Sequence, residues 1–198
     1  MKTSGQVLRI TERGEPILHR PCRPVREFGA ERWSRLIDDM FTTMWVAEGC
    51  GLAANQVDVD ARLFVYDLTD ELGQRHVGHV FNPVVEVVGV REISHPEGCL
   101  SVPGADATVT RPAQVIVRGV DLNGVPVTLR ADDYFARCLQ HESQHLLGQL
   151  YTDHLSKSTR RRAHAESDRV RDSVIERRTA RSIELGKVAA AYPGHSSG

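Results

Sequence analysis

The chain has 198 residues, 40% of them apolar, and a formal net charge of −1 at pH 7. That length suits a single domain with one good core, and the charge balance argues for neither DNA nor a membrane surface as partner. No apolar run approaches the roughly 20 residues of a membrane span, and Met1-Lys2-Thr3-Ser4-Gly5 leads into charged sequence without a secretory apolar region.

Residues 26–48 place Phe28, Trp33, Leu36, Ile37, Met40, Met44 and Trp45 near a 3.6-residue spacing. This predicts an amphipathic helix stopped by Gly49, with its apolar stripe packing the core. The small residues of Gly49-Cys50-Gly51-Leu52-Ala53-Ala54-Asn55-Gln56 let backbone segments approach closely. Gln56 can donate a side-chain N–H to a developing oxyanion. Valine-rich strands are predicted over 62–68, 79–81 and 84–91. Alternating strands follow over 108–110, 115–120 and 125–129, with Leu122-Asn123-Gly124 as a hairpin turn. A helix then runs to Leu147, N-capped by Asp132 or Asp133 and stopped by Gly148. Strands followed by a helix argue an α+β fold, short antiparallel strands packed around that helix.

From Lys157 the composition shifts. Residues 157–198 hold ten Lys/Arg against five Asp/Glu, a net +5, leaving 15 against 21 and a net −6 on the rest. Residues 168–185 can be helical, and 189–198 read as frayed. Such a basic C-terminal helix could touch ribosomal RNA, since phosphate contacts need only lysine and arginine. A solvated helix with no partner is the simpler reading.

The chemistry lies in His141-Glu142-Ser143-Gln144-His145, an H-E-x-x-H pattern on the predicted helix. Helical positions four apart point the same way, so both imidazoles can face one metal ion with Glu142 beside them as general base. A third ligand is needed. After His145 the chain offers Glu166, Glu176, Glu184, His154 and His164, none at the spacing of the long zinc motif. Glu97-Gly98-Cys99-Leu100-Ser101 is the better source, because a thiolate binds soft metals and offsets cationic charge. Cys99, His141 and His145 would leave one position open for water. The four cysteines, Cys22, Cys50, Cys99 and Cys138, show no C-x-x-C and no dense spacing. A disulfide framework is not expected, and a reducing cytoplasm fits. Cys50 and Cys138 read as structural or pocket-lining, and His76, His79 and His95 as surface residues.

The three blocks, G-x-G-x-A-A-x-Q, E-G-C-L-S and Q-H-E-x-x-H in this order, resemble peptide deformylases. The resemblance runs from about residue 8 to 156 and includes Gly14, Pro16 and Leu18, Phe81-Asn82-Pro83, Arg111, Asp121, Gly124 and Gly148. It implies a catalytic domain over 1–156, with 157–198 as a charged helical extension. It also implies removal of the formyl group from the N-terminal formyl-methionine of nascent polypeptides, with release of formate. Cys99, His141 and His145 would hold the metal, which in the family is typically Fe²⁺, with Ni²⁺, Co²⁺ or Zn²⁺ able to substitute. Hydroxide formed on the metal would attack the formyl carbon, with Glu142 handling the protons. Gln56 and the backbone N–H of Leu100 would stabilise the oxyanion. Tyr134, Arg137 and Cys138, one and two turns before the motif, would line a pocket for the methionine side chain, with Gly51 and Gly98 also against the substrate.

One position departs from the family pattern, Gln144 where most members carry Asp. That aspartate is not a ligand, and its expected role is to support the site, pairing with an arginine such as Arg111. Two alternatives stay open: a hydrolase of another N-formyl compound, and a weakly active metal- and peptide-binding relative.

Overall fold

Helix α1 covers Glu31–Val46 and carries the predicted stripe, with Ile37, Met40 and Met44 fully inside. It is shorter than expected at both ends. Its stop is not a glycine: Glu48 takes the left-handed position (φ 59°), and the Gly49 N–H closes the turn on the Met44 carbonyl at 2.9 Å. Gly49 is needed for another reason. A Cβ there would sit 2.8 Å from Leu100 Cδ1.

The strands run in chain order as β1 (Gly51–Ala53), β2 (Leu63–Thr69), β3 (Arg75–Val87), β4 (Glu92–Cys99), β5 (Val102–Pro112), β6 (Gln114–Val120) and β7 (Pro126–Asp132). Five form an antiparallel sheet in the order β1-β2-β3-β6-β7, and β4 pairs with β5 in a second, two-stranded sheet. Several expectations are corrected here. β3 is one strand where two were predicted; it runs through Asn82-Pro83 on a bulge between Phe81 and Val84 and ends at Val87, short of Arg91. The Asn82 side chain makes the bulge possible by bonding both the N–H and the carbonyl of Val25, at 2.9 and 2.7 Å. β4 was not predicted at all, and β5 is far longer than 108–110.

Helix α2, Asp133–His145, lies on one face of the large sheet and α1 on the other, so two helices sandwich it rather than one helix packing alone. The alternation of β2 shows why: Phe64, Tyr66 and Leu68 meet Phe135, Ala136 and Leu139 of α2, while Leu63 and Val65 meet Met40 and Met44 of α1. Asp132 is the N-cap residue of α2, but its carboxylate accepts from Gln114 Nε2 instead of capping the helix, and Asp133 binds Arg91. The predicted stop at Gly148 has the required positive φ of 78°.

The last helix, α3, begins at Lys157 and runs 28 residues to Glu184, capped by Ser156 Oγ on the Thr159 N–H. It is longer than predicted and is not a solvated tail. Its buried positions are Ala163, Ser167, Arg171, Val174, Arg178 and Ser182, spaced four, four, three, four and four apart along one face. That face docks on β5 at Gly104, where a Cβ would lie 2.3 Å from Val170 Cγ2. Arg171 clasps Glu12 at 2.5 and 2.7 Å, and Arg13 pairs with Asp168. No described helix is long and apolar enough to cross a membrane. The computed structural model describes residues 4–188 and 190–192, so the expectation of fraying at 189–198 falls mostly outside them.

Candidate metal centre and active site

α2 runs along the sheet with Glu142 turned toward Gly51 of β1 and His141 and His145 toward the two-stranded sheet. β4 ends there, and its last residue is Cys99. The ligating atoms of Cys99, His141 and His145 all lie within 4.8 Å of one another. His145 Nε2 is 3.1 Å from His141 Nε2 and 3.2 Å from Cys99 Sγ. A tetrahedral ion with metal–nitrogen bonds near 2.1 Å would separate two nitrogens by about 3.4 Å, so the cluster is close to the size of one cation. It is the one such cluster among the described residues.

The rings do not choose this geometry alone. Glu97 stands two residues before Cys99 on β4, hence on the same face, and its Oε1 takes His141 Nδ1 at 2.8 Å. That bond turns Nε2 toward the thiol, the usual arrangement for a ligating histidine. Glu97 is itself clasped by Arg111, with Nε at 2.8 and 3.0 Å and Nη2 at 2.7 Å, and by Arg137 at 3.2 Å. Burial works against its charge, but His141 and Arg111 outweigh burial and hold Glu97 down at about 2. Arg111 reaches on to Gln144 Oε1 at 2.8 Å, the partnership expected at that position. His145 is locked from behind, its carbonyl accepting Asn55 Nδ2 at 2.6 Å.

Burial by itself would push the Cys99 thiol up, yet the His145 and His141 rings beside it bring it down to about 6. Burial lowers His145, while His141, despite its burial, is raised by hydrogen bonds to Cys99 and Glu97. A thiolate beside imidazoles is the charge pattern that a dication completes. Glu142 is driven up to about 8, chiefly by burial, and its Oε2 is buried with no hydrogen-bond partner. Gly51 explains where that carboxylate can sit: a Cβ there would lie 2.4 Å from Glu142 Oε1. Gln56, on the 3₁₀ turn Ala54–Val57, anchors its Oε1 on the Ala53 N–H at 2.9 Å. Its Nε2 is thereby aimed at Ser101 Oγ, 3.2 Å, and Cys99 Sγ, 3.5 Å.

These groups open on a cavity of about 490 Å³. Of the residues singled out from sequence, Gln56, Cys99, Leu100, His141, Glu142, Gly51, Gly98, Tyr134, Arg137 and Cys138 line it; His145 is sealed behind them. Arg137 is largely committed elsewhere, donating to Glu97 and to the carbonyls of Val109 and Ile93. Cys50 and Cys138 face the same cavity, hydrogen bonding to Cys138 bringing Cys50 down to about 6 while Cys138 is pushed up. All four cysteines are free. His76 and His79 are not surface residues: His76 stacks on Phe135 and bonds Asp70, and His79 accepts the Leu122 N–H. The supporting roles of Glu97 and Asn55 were missed from sequence, as were the cavity arginines of α3. Glu97 was legible in principle, had an extended backbone been assigned before Cys99.

A thiol and two imidazoles placed to share one cation, with a buried carboxylate at hand, form the donor set of a metallohydrolase centre. Comparison with known proteins makes this specific. Residues 7–161 match the family model described as polypeptide deformylase. "Peptide deformylase 2" of Streptomyces avermitilis is 46% identical over 168 residues, covering 84% of this chain and 89% of that one. The crystal structure of a peptide deformylase from Ehrlichia chaffeensis superposes with a TM-score of 0.76 at 33% identity, covering 84% of this chain and 98% of the other. A Met-Ala-Ser-bound class I type b peptide deformylase from Acinetobacter baumannii gives 0.71 at 30% identity, over 75% and 98%. The chain belongs to the polypeptide deformylase family.

Proposed function

We propose that the enzyme hydrolyses the N-formyl group of formyl-methionyl peptides, releasing formate and a free α-amine. The observation that carries this is the Cys99-His141-His145 cluster beside a buried carboxylate with one unpartnered oxygen. Bound there, a divalent cation supplies Lewis acidity, lowering the pKa of a water and polarising the formyl carbonyl. Fe²⁺ is our assignment; the donor set accepts several divalent ions.

The remaining work falls to the protein. Glu142, sealed from solvent and short of a partner, takes the proton of the attacking water and later returns it to the departing nitrogen. Gln56, its Oε1 tied to Ala53, holds its N–H₂ beside Ser101 Oγ and Cys99 Sγ, from where it donates to the oxyanion, with the Leu100 N–H as the second donor. Leu100 is steadied from α3, whose Arg178 Nη2 donates to its carbonyl at 3.2 Å. The methionine side chain sits against Cys50, Tyr134 and Cys138, a soft apolar lining suited to a thioether. Residues 1–156 serve as the catalytic domain. Gln144 keeps the Arg111 bond, which favours a working site over an impaired relative. The exposed Arg161 and Arg162 on α3 are candidates for ribosomal RNA phosphates, testable by salt-sensitive co-sedimentation with ribosomes. Four free cysteines, one of them the ligand Cys99, suit a reducing cytoplasm.

The deciding experiment is formate release from formyl-Met-Ala by anaerobically purified protein, with metal quantified in the same sample and other formamides as controls. Failure to release formate from the peptide by fully metallated protein would overturn the reading.

A further inference from the structure

The match to the family model ends at residue 161, yet part of the cavity wall comes from beyond it. Val174, Arg177, Arg178 and Arg181 of α3 line the cleft at spacings of i, i+3, i+4 and i+7, one helix face. At 1.5 Å per residue that face presents the guanidinium-bearing residues 177–181 along about 6 Å of the cleft. An extended peptide advances about 3.3 Å per residue, so the row spans about two residues of a substrate. The wall is held in place: Val174 packs on Gly104, and Arg171 binds Glu12.

The charges on this wall are only partly answered. Arg178 donates to a neutral carbonyl, that of Leu100. Arg181 meets Glu48 at 2.8 Å through Nη1, while its Nε is buried without a partner. Arg177 is exposed and makes no hydrogen bond or ion pair among the described residues. The acids lining the cavity do not balance them. Glu97 is consumed by Arg111, Arg137 and His141, and Glu142 lies buried beside the metal ligands. Only Glu48 answers three guanidinium groups. A second cavity, of about 810 Å³, shares Val46, Glu48, Gly49 and Arg181 with the first, so Arg181 stands between the two spaces.

We propose that Arg177 and Arg181 make α3 a specificity wall that selects substrates carrying a carboxylate within the two residues after the formyl-methionine. The group can be the terminal carboxylate of a short peptide or an Asp or Glu side chain. The inference rests on the deformylase reading for its substrate.

The test compares formyl-Met-Ala-Ala as free acid and as amide, and the amides of formyl-Met-Asp-Ala, formyl-Met-Ala-Asp and formyl-Met-Ala-Lys. The acid and amide pair reads the terminal carboxylate, and the Asp and Lys peptides read the side chain. Wild-type metal-loaded enzyme should favour one or both anionic forms by about three- to tenfold in kcat/KM, through KM, with the margin shrinking at high salt. Arg177→Gln with Arg181→Gln should bring the ratio toward one, and Arg177→Glu, at an exposed unpaired position, should turn it toward the Lys peptide. Equal treatment of all five peptides, or a ratio that survives in the double variant, would overturn the proposal. Affinities of the same peptides for metal-loaded Glu142→Gln protein, by titration calorimetry, keep the two readings apart. Wild type that releases no formate from any peptide fails as a deformylase, while the calorimetric preference still decides whether the wall reads charge.

Discussion

Glu97→Gln tests how the metal centre is held. The native carboxylate collects two bonds or more from Arg111, one from Arg137 and one from His141 Nδ1, and it is 7% exposed. Glutamine keeps one acceptor oxygen and turns an N–H₂ group toward two guanidinium groups that are 3% and 6% exposed. Removing one partner from a buried ion pair costs about 3–5 kcal/mol. The depressed pKa of the same carboxylate points to a similar size. A folded value of about 2 against an ordinary 4.5 is worth about 3 kcal/mol. The pKa is depressed, so this stability is fully present above the unfolded value and is lost as pH falls from about 4.5 toward 2. Urea denaturation near neutral pH should therefore show Glu97→Gln about 3 kcal/mol less stable, with the gap closing in acid. Metal affinity should fall about 10- to 100-fold, because His141 loses the acceptor that orients its ring. Equal urea midpoints near neutral pH, together with equal metal affinity, would refute the idea that Glu97 organises the centre.

Three further outcomes follow from the geometry. Gly51→Ala places a methyl 2.4 Å from Glu142 Oε1, so kcat should drop by about 100-fold or more with little change in urea midpoint; an unchanged kcat would show that Glu142 has room to move or is not the base. Gln144→Asp should alter kcat/KM by less than about threefold, since Arg111 is already satisfied by Glu97 and a tenfold gain would mean that the native site is impaired. Chelation should lower the thermal midpoint, because three buried donors lose the cation they share; superimposable melting curves with and without metal would count against a cation there.

Much of the centre was legible in the chain because helical spacing is rigid. His141 and His145 share a face wherever the helix goes, and Glu142 must sit beside them. The stripe of α1 read as core, and it is core. The edges were harder. Glu92 to Cys99 holds Pro96, Gly98 and no clean alternation, and it becomes a strand because β5 supplies its partners. With β4 unassigned, the shared face of Glu97 and Cys99 stayed hidden.

The docking of α3 escaped for a related reason. Its buried face is built from Ser167, Arg171, Arg178 and Ser182 as much as from Ala163 and Val174, so no apolar period announces it. Those polar side chains are buried only because Glu12, the Leu100 carbonyl and the segment after the helix lie opposite to receive them. By itself, then, the order of residues determined the donor atoms, the base and the pair of imidazoles, since those depend on chemistry and local geometry. Tertiary structure decided which carboxylate aims the ligands and which helix closes the cleft, because both depend on hydrogen-bond partners far away along the chain.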